Sequence, residues 1–160
     1  MNDTLDGSIF GEEQPCFGCA PKHPFGFRLS FTRVGDAIET RFLPDDRYQG
    51  PPGIMHGGLV FAVADEVAVW TVIAARGKFG FTAGMDGRLL RPTRIGLELV
   101  GRGTLVSERR GVARSEVVLS QQGEDVFRGV IKTMLLDRRA AEELLQRPLP
   151  ADWLTFAKEP

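Results

Sequence analysis

The sequence has few of the residues that mark several functional classes. It contains two cysteines among 160 residues, too few for a disulfide framework. Its 20 basic and 21 acidic residues leave a formal charge of −1, so no overall positive field favours nucleic acid. The N-terminal stretch MNDTLDGSIFGEEQPC lacks a basic region followed by an apolar one, and we expect no apolar run of membrane-spanning length. These features predict a cytoplasmic protein with neither a nucleic-acid nor a membrane partner.

The rest of the composition is that of one folded domain. Hydrophobic residues make up 42% of the chain and charged residues 26%. A chain of 160 residues can bury one core but is too short for two ordinary domains. Residues 1–15 are predicted to be a loose leader, and residues 137–160 hold a short helix candidate and a tail with Trp153. The domain is expected between them, over residues 16–136.

The two cysteines lie close together in the motif CFGC. Cys16 and Cys19 are spaced like half of a zinc site or like a redox pair. His23 and His56 are candidates for further zinc ligands, but the sequence has no second cysteine pair. A redox motif normally opens a helix, whereas CFGCAPKHPFGF is rich in turn residues. The pattern favours an ordered loop with reduced thiols and no metal, with zinc or redox use as the alternatives.

Two groups of strands are predicted from alternating apolar and polar residues. The first is a hairpin over residues 27–31 and 37–43, with its turn at Gly35-Asp36. The second group fills the later part of the chain and contains a tight turn at 121–125. Its strands are predicted over residues 81–92, 96–108, 111–122 and 125–136. Short turns join antiparallel neighbours, so we expect an antiparallel sheet.

One long apolar helix lies between these groups. Prolines and glycines in residues 45–53 predict a loop, after which the helix begins near His56 or Gly57 and ends at Gly77. Apolar residues occupy every direction around its axis, so no face is left for water. One sheet covers one side of a helix, and the other side needs the curl of that sheet or a second copy of the chain. We therefore expect an α+β fold, as a homodimer or a dimer of dimers.

Asp65 and Glu66 stand side by side in the middle of this apolar helix. An unpaired buried carboxylate costs several kcal/mol, so each requires a partner or a function. Consecutive helical residues point about 100° apart, and the two therefore do not form a dyad. A salt bridge or hydrogen bond to a neighbouring loop or strand explains Glu66. For Asp65, structural and functional roles are equally well supported.

The residues His56-Gly57-Gly58 place two glycines at the start of the helix. Free backbone N–H groups and the positive end of the helix dipole favour an oxygen with negative charge there. The alternative is that the glycines only permit a tight turn. Gly57 and Asp65 are eight residues apart, about 12 Å along the axis, too far to touch one carbonyl group. Two antiparallel helices of a dimer would bring Asp65 of the partner subunit next to Gly57.

The stretch GIMHGGLVFAVADEVAVW resembles the central helix of the hotdog-fold acyl-CoA thioesterases, in particular the phenylacetic-acid-degradation type of the 4-hydroxybenzoyl-CoA thioesterase superfamily. The spacing from His-Gly-Gly to Asp is the most specific part. CFGCAPKHPFGFRLSF resembles the opening of such proteins, with His23 where Asn is frequent, and MDGRLLRPTRIGLELVGRGTLV resembles their strand that ends in Arg-Pro. The resemblance covers residues 16–136 and implies a curved antiparallel sheet wrapped around one helix, in dimers.

The resemblance also implies hydrolysis of an acyl-CoA thioester without a cofactor or metal. It implies that the Gly57 N–H donates to the thioester carbonyl, with His56 and Gly58 at that end of the site. Asp65 of the partner subunit would be the nucleophile or the base, although the adjacent Glu66 leaves open which carboxylate faces the site.

Further residues are candidates around this centre. The resemblance places Gln49 before the helix and Thr82 beside the attacking water. Arg88, Arg91 and Arg94 lie at the end of a predicted strand, where they are candidates for the phosphates of coenzyme A. A solvated strand end explains these arginines equally simply.

Three other functions remain as alternatives. A fold can remain after its catalytic activity is lost, so a non-catalytic acyl-CoA-binding module is the first alternative. A dimerisation domain is the simplest alternative. The retained Asp65 favours hydrolysis over both. An acyl-CoA hydratase usually pairs His and Asp in one short segment, whereas Asp65 follows His56 by nine residues.

Overall fold

One sheet and one long helix make up most of the fold. The computed structural model describes residues 4–157. Its strands are β1 (Thr4–Asp6), β2 (Ser30–Val34), β3 (Ala37–Phe42), β4 (Gly80–Leu89), β5 (Leu99–Arg109), β6 (Val112–Gln121) and β7 (Glu124–Leu135), its helices are α1 (Gly57–Arg76) and α2 (Arg138–Leu145), and short 3-10 turns cover Gly7–Phe10, Asp46–Tyr48 and Ala151–Phe156. The predicted α+β class is confirmed.

The strands form one antiparallel sheet that wraps around α1. Their order is β1-β2-β3-β5-β6-β7-β4, so the first strand after α1 lies at one edge. α1 packs against β3, β4, β5, β6 and β7. At the β6–β7 turn, Gln122 and Gly123 have φ values of 52° and 79°, as a tight two-residue hairpin requires. The hairpin turn predicted at 121–125 is therefore confirmed.

α1 begins and ends at the predicted residues. His56 Nδ1 accepts a hydrogen bond from the Gly58 N–H at 3.0 Å and so caps the first turn. Gly77 adopts the left-handed conformation with φ 63°, and its N–H closes the last turn. Trp70 in the middle of the helix is 1% exposed and stacks on Phe31 with ring centroids 4.9 Å apart. α1 is therefore the centre of the core.

Two glycines of β5 let α1 approach the sheet closely. A Cβ at Gly103 would overlap Thr71 Oγ1, and a Cβ at Gly101 would lie 2.8 Å from Val67 Cγ2. Val67 and Thr71 are buried one turn apart, on the same face of the helix. At this point the helix rests on the backbone of β5 and not on its side chains.

The N-terminal segment is folded and not the loose leader that we expected. Residues Thr4–Asp6 pair with β2. Phe10 is 6% exposed and packs against Trp70 and Trp153. Trp153 Nε1–H donates to the Phe10 carbonyl at 3.0 Å, so the C-terminal tail covers this segment. Residues 1–3 and 158–160 lie outside the described residues.

The first strand of the predicted hairpin lies three residues later than expected, at Ser30 instead of Phe27. The Leu29 N–H donates to the Gly18 carbonyl at 2.9 Å, and Arg28 has φ 54°. These residues therefore hold the cysteine-containing loop and do not enter the β-ladder.

One face of α1 and one edge of β4 are uncovered within residues 4–157. Ala62, Asp65 and Val69 recur at helical spacing and are only partly buried. β4 lies at the end of the sheet, so no described strand pairs with its other side. A second copy of the chain would cover both features.

α1 is also long and apolar enough to cross a membrane. It has 20 residues and a mean hydropathy of 1.8 in its most apolar window, half of which is buried inside the protein. The expectation that no apolar run reaches membrane-spanning length is therefore wrong. Asp65 and Glu66 do not lower the mean hydropathy of α1 below that of a membrane-spanning helix. The core helix of a globular domain meets the same criterion.

Candidate active site

The N-terminus of α1 presents one backbone donor without an acceptor. The Gly58 N–H is used by His56, and the N–H groups of Leu59 and Val60 donate to the His56 carbonyl. The Gly57 N–H has no acceptor among residues 4–157. With the positive end of the helix dipole behind it, this N–H can bind an oxygen that carries negative charge. Gly57 therefore has the geometry of an oxyanion donor, whereas Gly58 and His56 form the helix cap.

A cavity of about 330 Å³ opens beside Gly57. Two backbone hydrogen bonds build it by fastening the loop before α1 to the segment after β4. The Met55 N–H donates to the Thr93 carbonyl at 2.7 Å, and the Ile95 N–H donates to the Gly53 carbonyl at 3.0 Å. The walls are mostly apolar and consist of Pro51, Ile54, Met55, Gly57, Val60, Leu89, Leu90, Arg91, Pro92 and Thr93. A free backbone donor and a cationic side chain thus share one apolar cavity.

Asp65 lies on the uncovered face of α1. Thr82 of β4 donates a hydrogen bond from its hydroxyl to Asp65 Oδ1. A β-bulge follows Thr82 directly, since the register of β4 against β7 shifts between Thr82 and Gly84. Burial raises the pKa of Asp65, and the hydrogen bond from Thr82 partly opposes this rise. The carboxylate is therefore held in place while its face of the helix stays open.

Glu66 has entirely different surroundings. Its side chain lies under the loop of the CFGC motif, where a hydrogen bond of 3.3 Å joins Cys16 Sγ and Glu66 Oε1. A Cβ at Gly18 would overlap the Glu66 carboxyl group, so a larger residue here would force Glu66 to move. The hydrogen bond to a neighbouring loop, predicted as the structural explanation of Glu66, is present. Within one chain, Asp65 is the carboxylate on the open face.

The thiols and Glu66 titrate as one buried group. Burial and the negative charge of Cys16 raise the pKa of Glu66 to about 8. A hydrogen bond with Cys19 lowers the pKa of Cys16 to about 5, and the same hydrogen bond, together with burial, raises the pKa of Cys19. Negative charge on one of these groups therefore keeps its neighbours protonated.

Gln49, the candidate polar residue before α1, forms hydrogen bonds within its own loop. Gln49 Oε1 accepts from the Gly53 N–H at 2.6 Å, and Gln49 Nε2 donates to the Asp46 carbonyl at 3.1 Å. Both ends of the amide thus hold the turn before α1. Gln49 therefore supports the site from behind and does not present a free polar group to it.

The three arginines are separated by the structure. Arg91 lines the cavity at Gly57, and its guanidinium donates to the Asp125 carbonyl at 2.8 Å. Arg88 and Arg94 are exposed and do not line this cavity. Of the three arginines, only Arg91 borders this cavity, and its guanidinium also lies 3.7 Å from Glu124 Oε2.

Four aromatic residues of α1 and of the segment that follows it have two kinds of surroundings. Trp70 and Phe79 are buried in the core, at 1% and 3% exposure. Phe61 and Phe81 are partly exposed, and Phe61 packs edge-on against Phe127 with centroids 5.0 Å apart. The first two are therefore core residues, and only the second two have surface available to a ligand.

Sequence reasoning missed two parts of this arrangement. Leu89 and Leu90 form cavity walls, although their place directly before Arg91-Pro92 offered a signal. Gly18 over Glu66 had no local signal, because the two residues meet only through the fold.

The sequence matches no protein-family model and no curated protein. Its structure, in contrast, is similar to many solved structures. A thioesterase superfamily protein superposes with a TM-score of 0.68 at 22% identity, and the match covers 82% of this chain and 66% of that chain. This chain thus spans about two thirds of that protein.

Two further structures carry more specific names. A phenylacetic-acid-degradation-related protein of Ralstonia eutropha is 26% identical with a TM-score of 0.61, over 68% of this chain and 85% of that chain. A hypothetical thioesterase of Streptococcus pneumoniae, solved with coenzyme A, is 18% identical with a TM-score of 0.62, over 67% of this chain and 87% of that chain. The chain therefore has the hotdog fold of the thioesterase superfamily, as the resemblance of its central helix predicted.

Proposed function

We propose that this chain hydrolyses an acyl-CoA thioester to a free acid and coenzyme A. The observation that carries the proposal is the Gly57 N–H, which lacks an acceptor among residues 4–157 and lies in an apolar cavity that also holds Arg91. A thioester carbonyl needs such a donor, and an acyl-CoA also carries phosphates for an arginine. The hotdog fold and the coenzyme A in the Streptococcus pneumoniae neighbour agree with this substrate class.

In this mechanism the Gly57 N–H stabilises the negative charge that develops on the carbonyl oxygen. One well-placed donor of this kind contributes about 3–4 kcal/mol to the transition state. Asp65 of the partner subunit either attacks the carbonyl carbon or removes a proton from the attacking water. If Asp65 attacks, the carbon–sulfur bond breaks, coenzyme A leaves as the thiolate, and water then hydrolyses the anhydride between Asp65 and the acyl group. If Asp65 is the base, water adds to the carbonyl carbon directly and the same carbon–sulfur bond breaks.

Gly57 and Asp65 of one chain lie eight positions apart on α1, which is about 12 Å along the helix axis. The oxyanion donor and the carboxylate of one active site therefore come from different subunits. The partly buried stripe around Asp65 and the unpaired edge of β4 supply the surface for this association. The site is thus proposed to form at the interface of a homodimer or a dimer of dimers.

A panel of acyl-CoAs tests the activity. The purified chain is incubated with aromatic, short, medium and long acyl-CoAs, and loss of thioester absorbance and release of free coenzyme A are followed. Absorbance and chromatography are preferred to a thiol-reactive dye, because Cys16 is a partly exposed thiol of the protein. Saturable binding without release would overturn hydrolysis and favour the non-catalytic binding module.

A pair of variants at Gly57 tests the oxyanion role. Gly57→Pro removes the N–H, and proline is well tolerated at the first position of a helix. His56 has φ −58° and ψ 129°, an extended conformation that a following proline accepts. Gly57→Ala is the matched control, because it adds a Cβ at the same place near Leu89 and keeps the N–H. Turnover should fall about a hundredfold or more in Gly57→Pro and much less in Gly57→Ala.

A further inference from the structure

Cys16, Cys19 and Glu66 form a cluster that the proposed hydrolysis does not use. One sulfur or oxygen atom from each residue lies within 4.8 Å of the corresponding atoms of the other two. Cys19 is 6% exposed, and the other two residues are partly buried. The cluster joins a turn near the N-terminus to the middle of α1, across 50 positions of sequence.

One distance in this cluster is close to that between two ligands of a tetrahedral metal, and the other two are below 4.8 Å. With ordinary zinc–sulfur and zinc–oxygen bonds, two thiolates lie about 3.8 Å apart, and a thiolate and a carboxylate oxygen lie about 3.6 Å apart. Cys16 Sγ and Glu66 Oε1 are 3.3 Å apart. The three candidate ligand atoms are therefore close enough together to approach one ion.

The protein holds these side chains in place through the backbone. The Ala20 N–H donates to the Cys16 carbonyl at 3.1 Å, which folds the turn that brings the two cysteines together. The Cys16 N–H donates to Gln14 Oε1 at 2.8 Å. Gly18 leaves the space above Glu66 that any larger residue would fill. Hydrogen bonds therefore fix the turn that carries the two cysteines.

The charge of the cluster lacks a cationic partner. No lysine or arginine in residues 4–157 forms an ion pair with Glu66. Three groups that can each carry negative charge thus meet in a largely buried place, where burying charge is costly. A divalent cation would compensate this charge.

We propose that Cys16, Cys19 and Glu66 bind one zinc ion that fastens the CFGC turn to α1. Zinc accepts thiolate and carboxylate ligands together, whereas magnesium and calcium take oxygen ligands alone. The third ligand is the one that sequence reasoning sought at His23 and His56. His23 Nδ1 instead accepts from the Gly26 N–H at 2.8 Å, and His56 caps α1. The proposal departs from the sequence-based expectation of no metal, and a water molecule would supply the fourth ligand.

The test measures the metal in the full chain and does not depend on thioesterase activity. The protein is purified under reducing conditions without chelator, and zinc per chain is measured by inductively coupled plasma mass spectrometry. We expect one zinc per chain, and a thiolate-to-metal absorption band when cobalt replaces it. Cys16→Ser, Cys19→Ser and Glu66→Gln should each lose most of the metal. Asp65→Asn is the control, because it changes the adjacent carboxylate and should retain the metal.

Three outcomes would overturn the site. Zinc far below one per chain, together with no cobalt–thiolate band, would exclude metal binding. A Cys16–Cys19 disulfide in metal-free protein handled without reductant, together with no zinc uptake after reduction, would identify a redox pair instead. Full zinc content in Glu66→Gln would exclude the carboxylate ligand. If the cysteine variants do not fold, chelator-treated wild-type protein titrated with cobalt gives the same decision.

Discussion

The Thr82 hydroxyl donates to the Asp65 carboxylate and thereby ties the edge strand β4 to the middle of α1. Thr82→Val should lower turnover about tenfold, because a hydrogen bond to a charged group contributes about 1.5–3 kcal/mol and positions the carboxylate. The kcat of the purified variant on the best acyl-CoA of the panel measures this.

Thr133 offers a matched control in the neighbouring strand. It pairs directly with Thr82 in the β4–β7 register, and its buried hydroxyl has no hydrogen-bond partner among the described residues. Thr133→Val should leave turnover unchanged and keep or raise the free energy of unfolding by about 1 kcal/mol. Equal losses of turnover in both variants would show that this part of the sheet is generally sensitive and that Thr82 has no special role.

Substitution by the corresponding amide should affect Asp65 and Glu66 differently. Asp65→Asn preserves shape and removes the charge, so turnover should fall by about two orders of magnitude while acyl-CoA binding survives. Glu66→Gln should lower the melting temperature and retain most of the turnover, because Glu66 contacts the cysteine loop and not the open face of α1. An active Asp65→Asn beside a folded but inactive Glu66→Gln would move the chemistry to Glu66.

Subunit complementation tests whether the site is shared. Asp65→Asn and Gly57→Pro should each be inactive alone. When the two are mixed and their subunits exchanged, half of the dimers become hybrids, and each hybrid has one site without a substitution. Activity should therefore recover to about a quarter of the wild-type value. No recovery, or a stable monomer in light scattering at micromolar concentration, would rule out the shared site.

Arg91 should contribute more to coenzyme A binding than its neighbours do. It lines the cavity at Gly57, and Arg94 does not. Arg91→Ala should raise KM about fivefold or more with little change in kcat, because an ionic contact to phosphate is lost. Arg94→Ala is the control, with a change in KM of less than about twofold. Equal KM values for both variants and the wild type would mean that the phosphates bind elsewhere.

Gly18 should be intolerant of alanine for one specific reason. Its Cβ would overlap the Glu66 carboxyl group, so Gly18→Ala should lower the free energy of unfolding by about 1–3 kcal/mol. In a Glu66→Ala background the overlapping carboxyl group is absent, and Gly18→Ala should lower the free energy of unfolding much less. An equal cost in both backgrounds, measured by chemical denaturation, would show that the loop backbone itself rejects alanine.

Local sequence signals were sufficient for the elements but not for their long-range contacts. The start and end of α1 follow from the His-Gly-Gly motif and Gly77, and the hairpin turns follow from glycine positions. These features act over a few residues, where periodicity and cap chemistry decide the structure.

The contacts that define the site were beyond such signals. Whether Asp65 or Glu66 faces the site depends on a loop 50 positions away at Cys16. The folded N-terminal segment depends on Phe10 meeting Trp153 near the other end of the chain. The sequence could propose Thr82 only through resemblance to a family, since no local pattern links it to Asp65.

The close seating of α1 on Gly101 and Gly103 fixes the register of the helix. A helix that rests on side chains can roll or slide as those side chains change rotamer. Here a shift along the axis would drive Val67 and Thr71 into the backbone of β5, which has no rotamers to yield. Asp65 lies two positions before Val67, so its location is set by a surface that it does not itself touch.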